Sequence, residues 1–263
     1  MGINLLNKIY NEDCLETLKR FDDNFIDLTI TSPPYNVNLG NNKYNKTPYN
    51  LYNDNNDHKE YINWLENIFK EIYNKTKNGG RCVINIGNGK NGKIPTQSDI
   101  IQFMSNIGWL PMAFIIWDKN TTSNRTAWGS FNSPSSPSFP TPFEFILVFA
   151  KNSYKLLEKG ISDLKKEEFI SWSNSKWVMS GEKKKDINHP AVFPVELPLR
   201  CIKMFSWVDS IVYDPFIGSG TTAVACLKTN RNYIGSEISD EYCEVALNRI
   251  KNKIFIKYDK RNN

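Results

Sequence analysis

The sequence lacks any apolar stretch that approaches the roughly 20 residues needed for a membrane-spanning helix. The longest candidate, residues 143–150, is interrupted by Glu144. The first residues also lack the basic and then apolar pattern of a secretory signal. We therefore expect a protein with no membrane partner.

Cysteines at disulfide or metal-binding spacing are lacking too. The chain has five cysteines, an odd number, and no two of them form a Cys-x-x-Cys pair. This pattern argues against a disulfide framework and a zinc site, and it predicts a reducing, cytoplasmic location. The five residues are Cys14, Cys82, Cys201, Cys226 and Cys243.

A large excess of charge of one sign is absent, since 33 Lys and Arg residues against 28 Asp and Glu leave a formal charge of +5. This slightly basic balance is compatible with a polyanionic partner without requiring one. Hydrophobic residues make up 40% of the chain, which is enough to build a core and excludes a disordered protein. The length of 263 residues suits one large α/β domain, or such a domain with a small insert.

Predicted strands and helices alternate along most of the chain. Runs rich in β-branched and aromatic residues predict strands, and apolar residues three and four positions apart predict helices. Because strands joined through helices usually pair in parallel, the sequence predicts a mostly parallel sheet flanked by helices. The strands are expected at residues 8–10, 25–30, 81–86, 112–117, 143–150, 211–213 and 233–234. The helices are expected at residues 13–20, from 61 to the glycine pair at 79–80, 98–105, 193–206, 219–228 and 240–253.

Residues 151–188 depart from this alternation. They hold nine Lys against six Asp and Glu, and they include Trp172 and Trp177. The segment is therefore expected to lie outside the periodic core as a basic, aromatic-bearing insert.

A glycine-rich turn, Asp-Pro-Phe-Ile-Gly-Ser-Gly-Thr-Thr at residues 214–222, stands between a predicted strand and a predicted helix. At such a junction a nucleotide-like ligand meets the N–H groups of a helix N-terminus, and glycines allow close approach of the backbone. Glu237 follows Gly220 by 17 residues, just past the next predicted strand, where a carboxylate can accept both hydroxyls of a ribose. A phosphate-binding P-loop is excluded because no Lys-Ser/Thr pair follows the glycines. The combination predicts a cofactor site.

A second motif, Ser32-Pro33-Pro34-Tyr35, ends another predicted strand, at the position where open α/β sheets bind ligands. The prolines make the backbone rigid and remove N–H donors that would compete for the carbonyls. A Ser hydroxyl and a Pro carbonyl can receive the two hydrogens of an amino group, while the Tyr35 ring stacks on an aromatic base. On its own the motif is equally typical of a structural Pro-rich turn.

Together the two motifs resemble those of the S-adenosylmethionine-dependent amino DNA methyltransferases. Thr31-Ser32-Pro33-Pro34-Tyr35 is similar to their catalytic motif, and residues 214–222 are similar to their cofactor loop. The catalytic motif comes first, which resembles the circularly permuted β group of restriction–modification enzymes. Residues 11–14, 189–194 and 235–237 resemble the family's other cofactor segments, although Ser236 stands where the family often has an apolar residue.

The resemblance spans about residues 9–250 and implies a Rossmann-like, circularly permuted class I methyltransferase fold with a small recognition insert. Residues 1–150 would form the catalytic part of the core, 151–188 a target-recognition insert, and 189–263 the cofactor-binding part. The methyl donor would be S-adenosyl-L-methionine, which leaves as S-adenosyl-L-homocysteine, and no metal would be needed. Cofactor-binding roles are implied for Asp13, Cys14, Thr31, Phe193, Asp214, Phe216, Gly218, Ser219, Gly220, Thr221, Thr222 and Glu237. Catalytic roles are implied for Ser32, Pro33, Pro34 and Tyr35.

The target implied by this resemblance is an exocyclic amino group in duplex DNA. Such a nitrogen is a weak nucleophile because its lone pair is delocalised into the ring, and acceptors on its hydrogens free that lone pair for in-line attack. The base must first leave the helix stack, at a cost of a few kcal/mol. Serine at the head of the motif resembles cytosine-N4 enzymes more than adenine-N6 enzymes, so we predict cytosine N4 in a short site, with adenine N6 as the alternative. Methylation at cytosine C5 is disfavoured because it needs a thiolate, usually in a Pro-Cys pair, and no cysteine here follows a proline.

DNA recognition is expected in the insert at residues 151–188. The loop at 36–57 would close over the DNA or the flipped base, and residues 130–142 would line the base pocket. Trp128 or Phe139 would stack on the base or lie in the core. A homodimer and a cognate restriction endonuclease are further implied partners. Phosphate contacts are predicted for Lys176, Lys183, Lys184 and Lys185, although each lysine alone is equally typical of a solvated surface.

Three other functions are compatible with parts of this sequence. A nicotinamide-dependent oxidoreductase would use the glycine turn and Glu237 but would leave the Ser32 motif without a role. A methyltransferase acting on RNA or on protein glutamine has similar chemistry, but usually the opposite motif order. A non-enzymatic DNA-binding subunit would need neither motif intact.

Overall fold

The computed structural model describes residues 5–36, 56–89, 93–121, 129–139, 141–181 and 193–259. Within these residues the strands are β1 (Lys8–Tyr10), β2 (Ile26–Thr31), β3 (Thr76–Ile86), β4 (Trp109–Asp118), β5 (Phe143–Lys151), β6 (Lys176–Val178), β7 (Ile211–Asp214) and β8 (Asn232–Ser236). The helices are α1 (Cys14–Leu18), α2 (His58–Lys75), α3 (Thr96–Ile107), α4 (Lys166–Trp172), α5 (Glu196–Phe205), α6 (Thr221–Thr229) and α7 (Asp240–Asp259).

The strands described form a single sheet in the order β1-β8-β7-β2-β3-β5-β4-β6. Neighbours pair in parallel except at β5, which runs antiparallel to both β3 and β4. The predicted mostly parallel sheet flanked by helices is therefore confirmed. Strands β8 and β7, from residues 189–263, lie between β1 and β2, so both ends of the chain build one layer.

Apolar layers cover both faces of the sheet. In β3, Ile84 and Ile86 face the cluster built by α1, α2 and α3, while Val83, the residue before Ile84, faces the cluster built by α5 and α6. All three side chains are fully buried. Burial on both faces explains why the strands read as continuous apolar runs instead of alternating with polar residues.

Helix α2 shows how the local sequence sets an element. Asp57 caps its first turn by accepting a hydrogen bond from the N–H of Lys59 at 2.9 Å, and apolar residues at helical spacing face the sheet. The predicted helix end at the glycine pair was wrong, because α2 ends at Lys75 and β3 already begins at Thr76. Gly79 has φ +78°, and a Cβ on Gly80 would come within 2.9 Å of the Asp27 carbonyl oxygen. The glycines therefore allow an irregularity in the pairing of β3 with β2, and they do not end a helix.

The segment after β5 differs from the predicted insert in two respects. Its first part packs at the amino ends of the strands, where Trp207 donates its indole N–H to the Glu158 carbonyl at 2.8 Å. Its later part contains β6, which pairs in parallel with β4 and buries Trp177 to 1% exposure. The expectation that the whole segment lies outside the periodic core was therefore wrong for β6. Among the helices described, none is long and apolar enough to cross a membrane.

Candidate active site

The two sequence motifs lie at one edge of the sheet. Strands β2 and β7 are parallel neighbours, with Thr29 paired to Tyr213. Their carboxyl ends therefore lie side by side, and each continues directly into a motif: β2 into Ser32-Pro33-Pro34-Tyr35, and β7 into the glycine loop. Motifs that are far apart along the chain are thus brought together at the edge where open α/β sheets bind ligands.

Two more predicted segments end at the same edge. Glu237 follows β8, and the segment with Asp13 follows β1, which is parallel to β8. The Glu237 N–H donates to the Tyr10 carbonyl at 3.0 Å, which joins the two strand ends. Four neighbouring strands, β1, β8, β7 and β2, therefore each deliver one predicted segment to a shared edge.

The glycine loop is held from inside by Asp214. One oxygen of this carboxylate accepts from the Thr222 hydroxyl at 2.6 Å, and the other from the Phe216 N–H at 3.1 Å. Burial raises the pKa of Asp214 to about 6, although these hydrogen bonds act to lower it. Gly218 and Gly220 adopt φ values of +49° and +80°, the left-handed region that favours glycine. The hydrogen bond between Asp214 and Thr222 therefore joins the end of β7 to the start of α6 across the loop.

Arg249 braces the same loop from outside and was missed by sequence reasoning. Its Nη1 donates to the Ser219 carbonyl at 2.8 Å, to the Ser219 hydroxyl at 2.7 Å and to the Thr221 hydroxyl at 3.0 Å. The sequence offers one weak signal, because Arg249 lies three residues after Ala246, on the face of α7 that packs toward the loop. A single arginine in a C-terminal helix does not by itself predict a contact with a distant loop.

Glu237 lies beside the glycine loop and bonds it. Its two oxygens accept from the N–H groups of Gly218 at 3.0 Å and Ser239 at 2.9 Å. Burial raises the pKa of Glu237. A carboxylate has about four lone-pair positions, so each oxygen keeps one for a further donor. These free acceptor positions beside the glycine loop are suited to receive hydrogen bonds from the two hydroxyls of a ribose.

The remaining predicted cofactor residues have clear places in the fold. Asp13 caps α1 by accepting from the Leu15 N–H at 2.8 Å. Cys14 is buried, burial raises the pKa of its thiol to about 12, and its carbonyl accepts from the Tyr213 hydroxyl. Thr31 is buried at the end of β2, and Phe193 is half-buried just before α5. Their roles toward a cofactor stay predictions.

The catalytic motif is anchored by α2. The Tyr61 hydroxyl donates to the Pro34 carbonyl at 2.7 Å, whereas no donor among the described residues bonds the Pro33 carbonyl. The Tyr61 ring contacts Trp64, and Trp64 contacts Phe216 of the glycine loop, with ring centroids 6.2 Å and 5.5 Å apart. A chain of aromatic side chains on one helix therefore connects the two motifs.

A polar cluster lies behind the catalytic motif. The Ser32 hydroxyl is 3.0 Å from the Tyr35 oxygen, and the Tyr35 hydroxyl is 2.8 Å from Oε2 of Glu144 in β5. The amide Nδ2 of Asn85 in β3 lies 2.8 Å from the Tyr35 oxygen and 2.6 Å from Glu144 Oε2. Lys119 forms an ion pair with the other oxygen of Glu144. Burial and the neighbouring carboxylate raise the pKa of Tyr35 well above its usual range, so its hydroxyl keeps its proton.

Sequence reasoning missed Asn85, Lys119 and Glu144 as site residues. The signal for Glu144 was present, because a single acid within an apolar strand needs a buried partner. Asn85 and Lys119 had no comparable signal in the sequence.

The predicted DNA contacts are only partly within the described residues. Lys176 is exposed and pairs with Asp118 at 3.1 Å. Phe139 is 75% exposed, so it lies outside the core. Asn36 and Asn56 exchange two hydrogen bonds of 2.8 Å, which joins the ends of the predicted loop. Lys183, Lys184, Lys185, Trp128, residues 37–55 and residues 189–192 lie outside the described residues. Within the described ranges, no group of three or more His, Cys, Asp or Glu residues is placed to hold a metal ion.

Comparison with known proteins agrees with this geometry. The N6_N4_Mtase family model, which describes DNA methylases, matches residues 26–248. The type II methyltransferase M.MjaVI of Methanocaldococcus jannaschii is 41% identical over 165 residues, which cover 62% of this chain and 81% of the relative. A structure of TTHA0409 from Thermus thermophilus, assigned as a DNA modification methylase and complexed with S-adenosyl-L-methionine, superposes with a TM-score of 0.72 at 26% identity and covers 94% of this chain and 93% of that one. The cytosine-N4-specific PvuII DNA methyltransferase superposes with a TM-score of 0.70 at 22% identity, covering 91% and 84% of the two chains, which shows a shared fold.

The predicted resemblance to amino DNA methyltransferases is thereby confirmed. The family match favours this function over the alternative of a nicotinamide-dependent oxidoreductase. The family match includes the Ser32 motif, the glycine loop and Glu237 within one continuous region. Because that region is most of the sequence, this chain belongs to the DNA methylase family whose members modify exocyclic N6 or N4 amino groups.

Proposed function

We propose that this chain methylates the exocyclic N4 of cytosine within a short recognition site in duplex DNA, by direct in-line transfer to a flipped base. S-adenosyl-L-methionine is the cofactor, and it supplies the methyl group as a sulfonium. The observation that carries the proposal is the meeting of the Ser32 motif and the Gly218 loop at the ends of the parallel neighbours β2 and β7. Two reactants held at adjacent strand ends meet the proximity that such a transfer requires.

The cofactor side is assigned to the glycine loop and the acids beside it. Glu237 would accept the ribose hydroxyls with the acceptor positions that Gly218 and Ser239 leave free. The N–H groups at the start of α6 would receive the remainder of the cofactor. Arg249 and Asp214 keep the loop in this shape from its two sides.

The target side is assigned to Ser32 and the Pro33 carbonyl, which would accept the two hydrogens of the amino group. The structure supports Pro33 for this role because the Pro34 carbonyl is already bonded by Tyr61. With both hydrogens engaged, the nitrogen lone pair is freed from the ring and can attack the methyl group. The Tyr35 ring would then stack on the base.

The choice of cytosine over adenine rests on the serine at the head of the motif. A carboxylate accepts hydrogen bonds more strongly than a hydroxyl, which would suit the less reactive amino group of adenine. Adenine N6 is the second candidate because the family includes enzymes for both amino groups. Mass spectrometry of nucleosides from digested DNA decides between them: N4-methylcytosine supports the proposal, and N6-methyladenine without it overturns the choice of base.

We propose that residues 151–188 recognise DNA. The position of β6 in the sheet favours the later part of this segment as the part that contacts the DNA. Because β6 is parallel to β4, its carboxyl end at Val178 lies at the same edge of the sheet as Ser32. Lys176 is the first residue of β6, and the lysines at 183–185 follow its carboxyl end in the sequence, whereas the first part of the segment packs at the opposite edge. Phosphate contacts are therefore proposed for the end of the segment.

The partners follow from the relatives, several of which are named type II methyltransferases. We propose that this chain likewise modifies DNA within a restriction–modification system, with a cognate endonuclease. A homodimer is proposed as well, and light scattering that shows only monomer across micromolar concentrations would exclude it. The cytoplasmic location stays a prediction.

The central test uses Ser32→Ala. The variant is expected to lose methyl transfer from labelled S-adenosyl-L-methionine to DNA while it binds the cofactor with unchanged affinity in calorimetry. Ser105→Ala is the matched control, because Ser105 is exposed on α3 and its hydroxyl donates to the Ile101 carbonyl of the same helix. A Ser32→Ala protein with full activity would refute the assignment of the site.

A further inference from the structure

The cluster behind the catalytic motif has a defined direction of hydrogen bonding. Glu144 is 7% exposed, and its two oxygens are surrounded by donors from Tyr35, Asn85 and Lys119. A carboxylate only accepts, so Tyr35 must donate its single proton to Glu144. The Tyr35 oxygen is then an acceptor toward Ser32, and Ser32 must point its own proton at Tyr35, 3.0 Å away.

We propose that Glu144 is a positioning residue that acts through Tyr35 to hold the Ser32 hydroxyl as an acceptor toward the target amino group. With its proton directed at Tyr35, the Ser32 oxygen presents lone pairs to the substrate side. A free serine hydroxyl can rotate and present either its proton or its lone pairs, and only the second is compatible with an incoming N–H donor. The chain from Ser32 through Tyr35 to Glu144 removes that freedom.

The same chain strengthens Ser32 as an acceptor. Hydrogen bonds arranged in series polarise one another, and a bond that ends on a carboxylate is stronger than one between neutral groups. A serine coupled to a buried carboxylate in this way supplies part of what an aspartate in the same motif would supply directly. This gives the buried acid in β5 a role in the site.

Asn85 fixes the arrangement from β3. Its Nδ2 donates to Tyr35 and Glu144 and lies 3.5 Å from the Ser32 oxygen, and the flipped amide would place its oxygen against the carboxylate. The orientation seen leaves Asn85 Oδ1 buried without a partner among the described residues. A buried amide oxygen left open in this way is unusual for a residue with only a packing role.

This inference rests on the proposed methyl transfer, and Glu144→Gln tests it. The neutral amide keeps the shape of the side chain but provides one acceptor oxygen where three donors converge. We expect kcat to fall about 10- to 100-fold, as for loss of a charge-assisted hydrogen bond, while the affinities for S-adenosyl-L-methionine and DNA stay unchanged. Asp27→Asn is the matched control: Asp27 is a partly buried acid of β2 at the opposite edge, bonded to Lys77 and the Ile211 N–H, and its variant is expected to keep full activity.

A double-mutant cycle separates positioning from general packing. Tyr35→Phe breaks the chain between Ser32 and Glu144, so the variant with both changes is expected to be no slower than the slower single variant. Multiplicative losses would show that the two residues act independently and would overturn the proposal. So would a Glu144→Gln protein with wild-type kcat, or one whose defect lies only in cofactor or DNA affinity.

A third variant addresses the ion pair with Lys119. Adding Lys119→Met to Glu144→Gln removes the cation left without its partner, so thermal stability is expected to recover while kcat stays low. Recovery of kcat together with stability would show that Glu144 serves only to neutralise Lys119, and the proposal would fall. If the wild-type protein methylates neither cytosine nor adenine, the proposed function itself fails, an outcome distinct from each of these.

Discussion

Replacing Gly220 by alanine tests the packing of the glycine loop against α7. Gly220 has φ +80°, and a Cβ there would lie 2.9 Å from Ala246 Cβ and 3.1 Å from Ala246 Cα. The left-handed backbone costs a residue with a Cβ about 1–2 kcal/mol, and crowding against a packed helix costs about 1–3 kcal/mol more. We expect Gly220→Ala to lose about 2–5 kcal/mol of unfolding free energy. For a chain of this size this is a fall in Tm of about 4–20 °C, measured by circular dichroism.

Two further variants make this prediction specific. A Cβ at Gly181 would meet nothing within 4 Å, so Gly181→Ala is expected to change stability by less than about 0.5 kcal/mol. Ala246→Gly alone costs about 1 kcal/mol of helix propensity, yet in the Gly220→Ala background it removes the closest contact. The double variant should therefore be less destabilised than the sum of the two single variants. Strict additivity, or a Gly220→Ala protein with wild-type Tm, would refute the contact.

Further variants concern Asp214 in the glycine loop, Arg249, which bonds that loop, and Trp177 in the edge strand β6. Burial raises the pKa of Asp214 from 3.8 to about 6, so between these pH values the folded state binds a proton that the unfolded state has lost. The unfolding free energy should therefore fall by about 3 kcal/mol as pH rises from about 4 to 6. Urea titrations of Asp214→Asn should lack this pH dependence. Arg249→Met removes the hydrogen bonds to Ser219, so calorimetry should show about 10-fold weaker binding of S-adenosyl-L-methionine, while Lys251→Met on the same helix should bind normally. Trp177→Ala should lower the unfolding free energy by about 3–5 kcal/mol, because the side chain is buried in the sheet; a stable protein with altered DNA affinity would contradict this placement.

The fold was predictable where apolar runs are long. Strands β3 and β5 are buried on both faces and stand out as continuous apolar segments, and α2 carries buried residues at regular helical spacing. Strand β6 was not predictable, because three residues with one buried side chain form no period. The end of α2 was misread because a glycine pair is typical both of helix ends and of strand irregularities.

The candidate site could be inferred from the sequence where its residues are contiguous. The Ser32 motif and the glycine loop each combine several functional residues within one turn, so their chemistry can be inferred without a structure. Glu144, Asn85 and Arg249 each come alone from a separate element, and only the sheet order and the packing of α7 bring them to the motifs. A residue that comes alone from its own strand or helix leaves no recognisable motif in the sequence.

The geometry also explains why the order of the motifs along the chain does not determine the site. Strand β2 pairs on one side with β3, its neighbour in sequence, and on the other with β7, which lies far along the chain. What brings Ser32 and Gly218 together is this pairing, strengthened by Tyr61 and Trp64 of α2, which contact Pro34 and Phe216. None of these contacts depends on which strand is synthesised first. The catalytic motif and the cofactor loop would therefore meet at the same edge in a chain with the opposite order, provided that the two strands remain parallel neighbours.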